Sequence, residues 1–488
     1  MTALGVPRVP IRGPRWPSAA APSPPDFAAI RAEFDVPESF PDDVLAAAAR
    51  VAADPPLPEL DATDVPLVTL DPLGSRDLDQ AVHLAQHGDG YRVTYAIADV
   101  GAFVPLGSAL DGEARRRGQT LYAPDRRIPL HPPELSEGAA SLLPDQLRAA
   151  AVWTIDLDAD GEPGDVSLRR ARVRSRAQLD YASMQARADA GALPEALALL
   201  PRIGALLLAR AEERGAIELG TPEQEVVATP DGGWTLALRG DQPVEVWNAQ
   251  ISLLTGRCAA SLMLDGGVGI LRTLPPARAE DVEALRVLAP ALGVPWPAGA
   301  SPGAVIAGLD PTRPGHAAFL EESAALRRGA AYTPFDGTLP EQPGHGGVGA
   351  PSAHVTAPLR RLVDRFGTEV CLALCAGREP APELRAALPG LPALMAASDK
   401  RTREVERAVL DATEAWVLHG REGEEFSAVV VEAQDGRGTV VLDDPKVRGR
   451  CTGPALRPGT RVQVRLESAD VAARAVRFVL DGAAETAP

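Results

Sequence analysis

A chain of 488 residues with 45% hydrophobic side chains is long enough for two or three separately cored domains. Its formal net charge of -17 and pI near 5.0 argue against a protein that coats nucleic acid nonspecifically, because displacing phosphate counterions needs a broad basic surface. A local basic channel in an enzyme is compatible with the same balance. The four cysteines are Cys258, Cys371, Cys375 and Cys451. Two of them stand at i, i+4 in an apolar helical run, which fits buried thiols in a reducing cytoplasm better than a disulfide framework. The chain contains no 18-residue apolar stretch, and its N-terminal region lacks the apolar core of a signal peptide, so a soluble cytoplasmic protein is expected.

Residues 1–25 hold Pro, Arg and Ala without apolar periodicity and read as a disordered arm. Residues 26–60 read as a short helical region, with helices over Phe27–Phe34 and Pro41–Ala53; the second carries Asp42 and Asp43 in its first turn, where acids suit the exposed amides. A Pro/Asp linker leads into Thr69–Ala81, which sets Asp71, Asp77 and Asp79 in one short turn of chain. Pro72 and Gly74 break the first strand, and the alternation Asp77, Leu78, Asp79 predicts the start of a second, with the two acids on one face. Crowded carboxylates rise in pKa unless a cation neutralises them, and a hard divalent ion with a preference for oxygen, such as Mg²⁺, is the natural partner. A solvated acidic turn is the plain alternative.

Strands over Ala81–Leu84 and Tyr91–Ala98 flank a hairpin signal at His87-Gly88-Asp89-Gly90, and a second strand pair, Ala151–Leu157 and Asp165–Ser175, surrounds Gly161–Gly164. Gln178-Leu179-Asp180-Tyr181 reads as the opening of a helix, Val246–Leu264 and Asp281–Leu292 as further helices, and Pro295–Pro314 as a loop. Tyr332–Ala353 reads as a long irregular segment. Its run Gly344-His345-Gly346-Gly347-Val348-Gly349 lacks the strand before it and the Lys-Ser/Thr after it that a phosphate loop requires. His354–Arg361 is expected to open a helix through Leu374, with exposed amides forming an anion site, and Ser398–His419 to form a second long helix. His131, His316, His345 and His354 show no zinc-ligand spacing, and no Gly-x-Ser-x-Gly elbow occurs. From Phe426 to Leu480 the pattern changes to short alternating strands rich in Arg, the signature of a small OB-type barrel.

Several of these segments, taken in order, resemble the RNase II/RNase R (RNB) family of 3′→5′ exoribonucleases. Asp71, Asp77 and Asp79 match three of the family's four signature aspartates, and Gln80 stands at the fourth. The block from Ile97-Ala98-Asp99-Val100 through Arg117-Gly118, Tyr122 and Ile128-Pro129-Leu130 follows the family pattern. His354-Val355-Thr356-Ala357-Pro358-Leu359-Arg360-Arg361 resembles its His-x-Thr-Ser-Pro-hydrophobic-Arg-Arg signature, and Glu425-Phe426-Ser427-Ala428-Val429 the opening of its S1-type domain.

The resemblance implies an α+β fold: an RNB catalytic domain at 61–419, a mixed sheet surrounded by helices, followed by an S1-type OB β-barrel at 420–482. It also implies two Mg²⁺ ions, replaceable by Mn²⁺, held by Asp71, Asp77, Asp79 and Gln80, an amide being able to ligate but bringing no charge. Asp79 would be the most rate-critical acid, and Arg360 would bridge the scissile phosphate, its forked donors strengthening as charge develops. Tyr181 would stack on bases near the 3′ end, with Thr356 and Arg361 as further substrate contacts. The substrate would be single-stranded RNA 3′ ends, cut processively to nucleoside 5′-monophosphates in RNA decay or 3′-end trimming. The protein would act as a monomer, with no membrane and no obligate protein partner. The cold-shock domains that usually precede the catalytic domain have only two short helices and the arm in their place. A second reading stays open at this point: an RNA-binding protein on the same scaffold, with catalysis weakened at Gln80.

Overall fold

The computed structural model describes residues 23–217, 223–229, 233–310, 313–454 and 456–480. All but the last three residues of the expected arm at 1–25 lie outside that set. Eight strands lie between residues 69 and 180: β1 (Thr69–Asp71), β2 (Gln80–His87), β3 (Gly90–Ala98), β4 (Leu121–Tyr122), β5 (Arg127–Ile128), β6 (Leu147–Leu157), β7 (Pro163–Arg174) and β8 (Gln178–Asp180). Strands β2, β3, β6 and β7 form one antiparallel sheet in that order. The β2–β3 turn is Gly88-Asp89, where Gly88 takes φ +57° in the left-handed region that favours glycine.

Both faces of this sheet are covered. In β3, Val93, Tyr95 and Ile97 enter one core while Ala96 and Ala98 enter another. In β6, Ala151, Trp153 and Ile155 divide from Ala150 and Val152 in the same way. A period of two with both sets apolar is what a doubly covered strand requires. The first core is filled by helices Pro243–Asp265 and Leu362–Cys375, the second by helix Asp42–Ala53 and by Phe103, Leu110 and Leu135. The buried Arg365 guanidinium pairs with Asp111, tying helix Leu362–Cys375 to helix Ala109–Arg117.

The C-terminal part is a closed five-strand barrel: Glu425–Gln434, Arg437–Leu442, Arg448–Thr452, Arg461–Asp470 and Ala475–Val479, the third and fifth strands pairing in parallel. Phe426, Val430, Val440, Val464 and Phe478 fill it. It rests on helix Leu391–Leu418 through Ala415 and Leu418, where the buried Glu414 carboxylate accepts from Arg448 N (2.8 Å) and Gln224 Nε2 (3.0 Å). The α+β architecture with a C-terminal OB-type barrel is therefore as expected, with β1 and β8 pairing in parallel and a second parallel pair closing the barrel.

Several local expectations are corrected. Asp77 and Asp79 precede the second strand, which begins at Gln80, because Leu78 N bonds to Ser141 Oγ (3.0 Å) and Leu142 N to Leu78 O instead of to a ladder. Gln178–Asp180 is a strand held by β1, and its helix starts at Tyr181, with Asp180 accepting from Ser183 N (2.9 Å). The segment Tyr332–Ala353 is more regular than its composition suggests: Ala331–Asp336 pairs with Val268–Thr273, and Gly344–His345 with Ala350–Pro351. Pro295–Pro314 includes helix Pro302–Ala307, capped by Ser301 Oγ, which accepts from Ala304 N. The barrel's third strand, Arg448–Thr452, carries too few β-prone residues to be read in advance and exists because it is paired on both sides. Glu223–Ala228 and Trp234–Arg239 form a further antiparallel hairpin.

Burial pushes the Glu414 carboxyl up to about 7, against the Arg448 amide and the Gln224 amide that favour its charged form. The folded state thus holds a proton that the unfolded chain has lost, and stability falls as pH rises from the ordinary glutamate range through 7. Glu414→Gln keeps an acceptor and removes the charge, so its unfolding temperature should exceed that of the wild type at pH 8 and converge with it at pH 4. Thermal scans at the two pH values check this.

Candidate active site

Two distant pieces of chain meet at the acidic turn. Strand β1 lies parallel to β8, with Asp71 opposite Asp180, and so ends beside Tyr181. After the Pro72-Leu73-Gly74 turn, the fully buried Leu78 anchors the backbone in the second core. That anchor leaves Asp77 and Asp79 both close enough to Tyr122 to raise its phenol pKa, to which burial contributes most. The second piece is the turn 356–361 before helix Leu362–Cys375. Here Leu359 N donates to Asp79 Oδ1 (2.7 Å), and Arg360 Nε stands 3.6 Å from Asp79 Oδ2. The expected free amides of a helix N-terminus are not found at this spot. The helix begins at Leu362, Leu359 N serves Asp79, and Ala357 N serves Asp364 Oδ1 (2.7 Å).

The electrostatics follow from burial. Asp79 is 4% exposed, and desolvation drives its carboxyl well above the usual aspartate range despite Arg360 and the Leu359 amide. Burial pushes the Asp71 carboxyl up to about 7, with Arg360 opposing and Asp77 adding to the rise. Asp71 Oδ2 is buried without a hydrogen-bond partner. Asp77 instead pairs with the Arg127 guanidinium and accepts from Tyr122 Oη (3.1 Å). Arg360 keeps its side chain 51% exposed, free to meet a ligand.

Tyr181 opens its helix near Asp71, its hydroxyl accepting from Asn248 Nδ2 (3.1 Å). Thr356 is buried, and its carbonyl accepts from Gln80 Nε2 (2.7 Å). The Gln80 oxygen accepts from Tyr95 Oη (2.6 Å), so the amide expected as a fourth ligand is engaged at both ends. Arg361, expected at the substrate, turns its Nε and Nη2 to the buried Asp364 carboxylate at 2.5 and 2.7 Å. Arg127, Asn248, Tyr95 and Ser252 had no role from the sequence reading, and Tyr122 entered it only as one matched position. The β4–β5 pair that delivers Tyr122 and Arg127 is two residues long on each side, too short for any periodicity to reveal.

Among the described residues, no three His, Cys, Asp or Glu side chains are gathered into a ready ligand set. Asp77 has a cationic partner in Arg127, yet it stands near enough to raise the carboxyls of both Asp71 and Asp79. Asp71 and Asp79 nevertheless fit a hard cation: one has an orphaned buried oxygen and both are desolvated acids in want of positive charge.

Residues 60–366 match the RNB domain model, and residues 424–481 match the RNase II-type exonuclease C-terminal S1 domain. The chain is similar to exoribonuclease 2 of Erwinia tasmaniensis, 30% identical over 419 residues that make up 79% of this chain and 61% of that one. It is also similar to ribonuclease R of Acidithiobacillus ferrooxidans, 34% identical over 38% of this chain and 45% of that one. The matched regions thus span less than two thirds of either relative. The structure of Mycoplasma genitalium RNase R in complex with ribose methylated single-stranded RNA superposes with a TM-score of 0.83 at 18% identity, covering 93% of this chain and 77% of that one. With the acidic turn, the Arg360 turn and the barrel falling inside the matched regions, the chain belongs to the RNB family.

Proposed function

We propose that the protein is a Mg²⁺-dependent, processive 3′→5′ exoribonuclease that shortens single-stranded RNA and releases nucleoside 5′-monophosphates, in RNA decay or 3′-end trimming. The observation that carries this reading is the placement of two desolvated carboxylates, Asp71 and Asp79, beside a half-exposed Arg360. Asp71 and Asp79 would hold Mg²⁺ or Mn²⁺, joined by Asp77 on release from Arg127; the bound metal supplies a nucleophilic water and neutralises phosphoryl charge. Arg360 offers forked donors to the non-bridging phosphate oxygens, and Asp79, itself held by the Leu359 amide, keeps it at its post. Tyr181, fixed through Asn248, presents its ring near Asp71 to the 3′-terminal base. In each cycle water adds hydroxide to phosphorus, the bond from phosphorus to the 3′ oxygen breaks, and that oxygen takes the proton.

The domains we propose are 26–60, 61–419 and 420–482, with the barrel as the outer grip on RNA. Its parallel closure sets the exposed Arg450 directly opposite the exposed Arg477. Like charges in register repel, and a polyanion relieves the repulsion. The same reading makes the protein a cytoplasmic monomer acting on RNA 3′ ends. Among the described residues, no helix is long and apolar enough to cross a membrane.

The decisive experiment incubates 5′-labelled single-stranded RNA with the protein and Mg²⁺ or EDTA. Loss of full-length RNA to a short 5′-labelled end product without a ladder of intermediates, with release of nucleoside 5′-monophosphates and abolished by EDTA, is expected; internal cuts or no cleavage would refute the reading. Asp79→Asn should lower kcat by orders of magnitude while RNA binding stays within a few-fold, since the charge acts mainly in the transition state. Activity close to that of the wild type would remove Asp79 from the chemistry. Arg450→Ala combined with Arg477→Ala should raise KM, leave kcat on a saturating short oligonucleotide unchanged, and flatten the salt dependence of binding by about 0.7 per lost contact in log–log slope. Anisotropy titrations at several salt concentrations measure it.

A further inference from the structure

We infer that Gln80 is a positioning residue for the turn that carries Arg360, and that it acts by joining Thr356 to a buried hydrogen-bond chain instead of ligating metal. The inference rests on the exoribonuclease reading above. Gln80 is the first residue of β2, directly after Asp79. Three contacts run in series: Gln80 Nε2 to Thr356 O at 2.7 Å, Tyr95 Oη to Gln80 Oε1 at 2.6 Å, and Tyr95 Oη to Ser252 Oγ at 2.8 Å.

Their directions are forced. A backbone carbonyl only accepts, so the amide NH₂ faces Thr356 and the amide oxygen faces Tyr95. The single Tyr95 hydrogen then goes to Gln80, which leaves Ser252 as donor to Tyr95. Donation runs from Ser252 through Tyr95 and Gln80 to Thr356, linking helix Pro243–Asp265, β3, β2 and the Arg360 turn. Tyr95 is 1% exposed, so little water competes for these bonds.

The turn itself is short of regular support. Thr356 to Arg360 lie outside helix and strand, and they are tied by Ala357 N to Asp364, Leu359 N to Asp79 and Thr120 N to Arg360 O. Gln80 supplies a second tie on the Thr356–Ala357 peptide, bonding its carbonyl while Asp364 accepts from its N–H. An aspartate at this position, the residue of the family signature, could not make it. Its carboxylate would set an acceptor against the Thr356 carbonyl, and it is one methylene shorter. The replacement of the fourth acid by an amide is therefore a change of task, from charge to geometry.

The test compares the full-length wild type with Gln80→Met, Gln80→Asp and Tyr95→Phe. Steady-state kinetics on a short RNA are combined with Mn²⁺ binding to the RNA-free protein by electron paramagnetic resonance. Gln80→Met should lower kcat about tenfold or more, with KM and Mn²⁺ affinity within about twofold of wild type, because Arg360 is misplaced and no ligand is lost. Gln80→Asp should lose kcat as well. Tyr95→Phe removes only the hydroxyl that orients the amide; it should show a smaller kcat loss with unchanged Mn²⁺ binding, and it carries the test if Gln80→Met fails to fold. The inference is overturned if Gln80→Met weakens Mn²⁺ binding tenfold, if Gln80→Asp tightens it and keeps kcat, or if kcat is unchanged in both Gln80→Met and Tyr95→Phe. A wild type that binds Mn²⁺ and cleaves no RNA would instead overturn the exoribonuclease reading itself.

Discussion

The site depends on one buried carboxyl above all, that of Asp79, and on the backbone amide of Leu359 that holds it across 280 positions of sequence. Taking a carboxylate out of water costs several kcal/mol even after relaxation, so the fold must bring compensating donors to it or leave it protonated. One amide and one guanidinium 3.6 Å away are what it receives, and they do not return its pKa to the ordinary range. The residual want of positive charge is the property a cation site or a phosphate-bound metal would exploit. Both the β2 start and the Arg360 turn are arranged around that want.

Acidic and basic groups around the turn are sorted into pairs with different jobs. Arg361 and Asp364 close on each other, and Asp364 also receives the Ala357 amide, so this pair shapes the backbone. Asp77 is matched by Arg127 and Tyr122. Asp71 has no such match, and Arg360 shares only Asp79, leaving these two side chains as the unsatisfied ends of the network. A net charge of -17 is compatible with local positive potential, as where Arg450 and Arg477 stand in register on the barrel.

The same logic sets the geometry. The sheet buries both faces, so β2 and β3 cannot slide without moving apolar side chains into the wrong core. That fixes Gln80 relative to Tyr95, and helix Pro243–Asp265 fixes Ser252 and Asn248. Tyr181 and the Arg360 turn are thereby held from the same helix and the same sheet edge.

The sequence by itself determined the elements whose information is local. These were the hairpin at Gly88-Asp89, the long helices, most of the barrel strands, and the acidic turn with its partner motif ending at Arg360 and Arg361. Apolar periodicity, turn residues and motif spacing lie within a few residues of one another, so each can be read along the chain. Only the tertiary structure decided what those residues face. Strand Arg448–Thr452 exists because neighbours on both sides complete its ladders, and the β4–β5 pair is too short for its pattern to be read along the chain. Likewise, Asp77 meets Arg127, Arg361 turns to Asp364, and the Gln80 amide closes on Tyr95 and Thr356, all through long-range packing. A carboxylate's spacing in sequence says that it can ligate; its desolvation and its nearest donor, which decide whether it is free to, are properties of the packed chain.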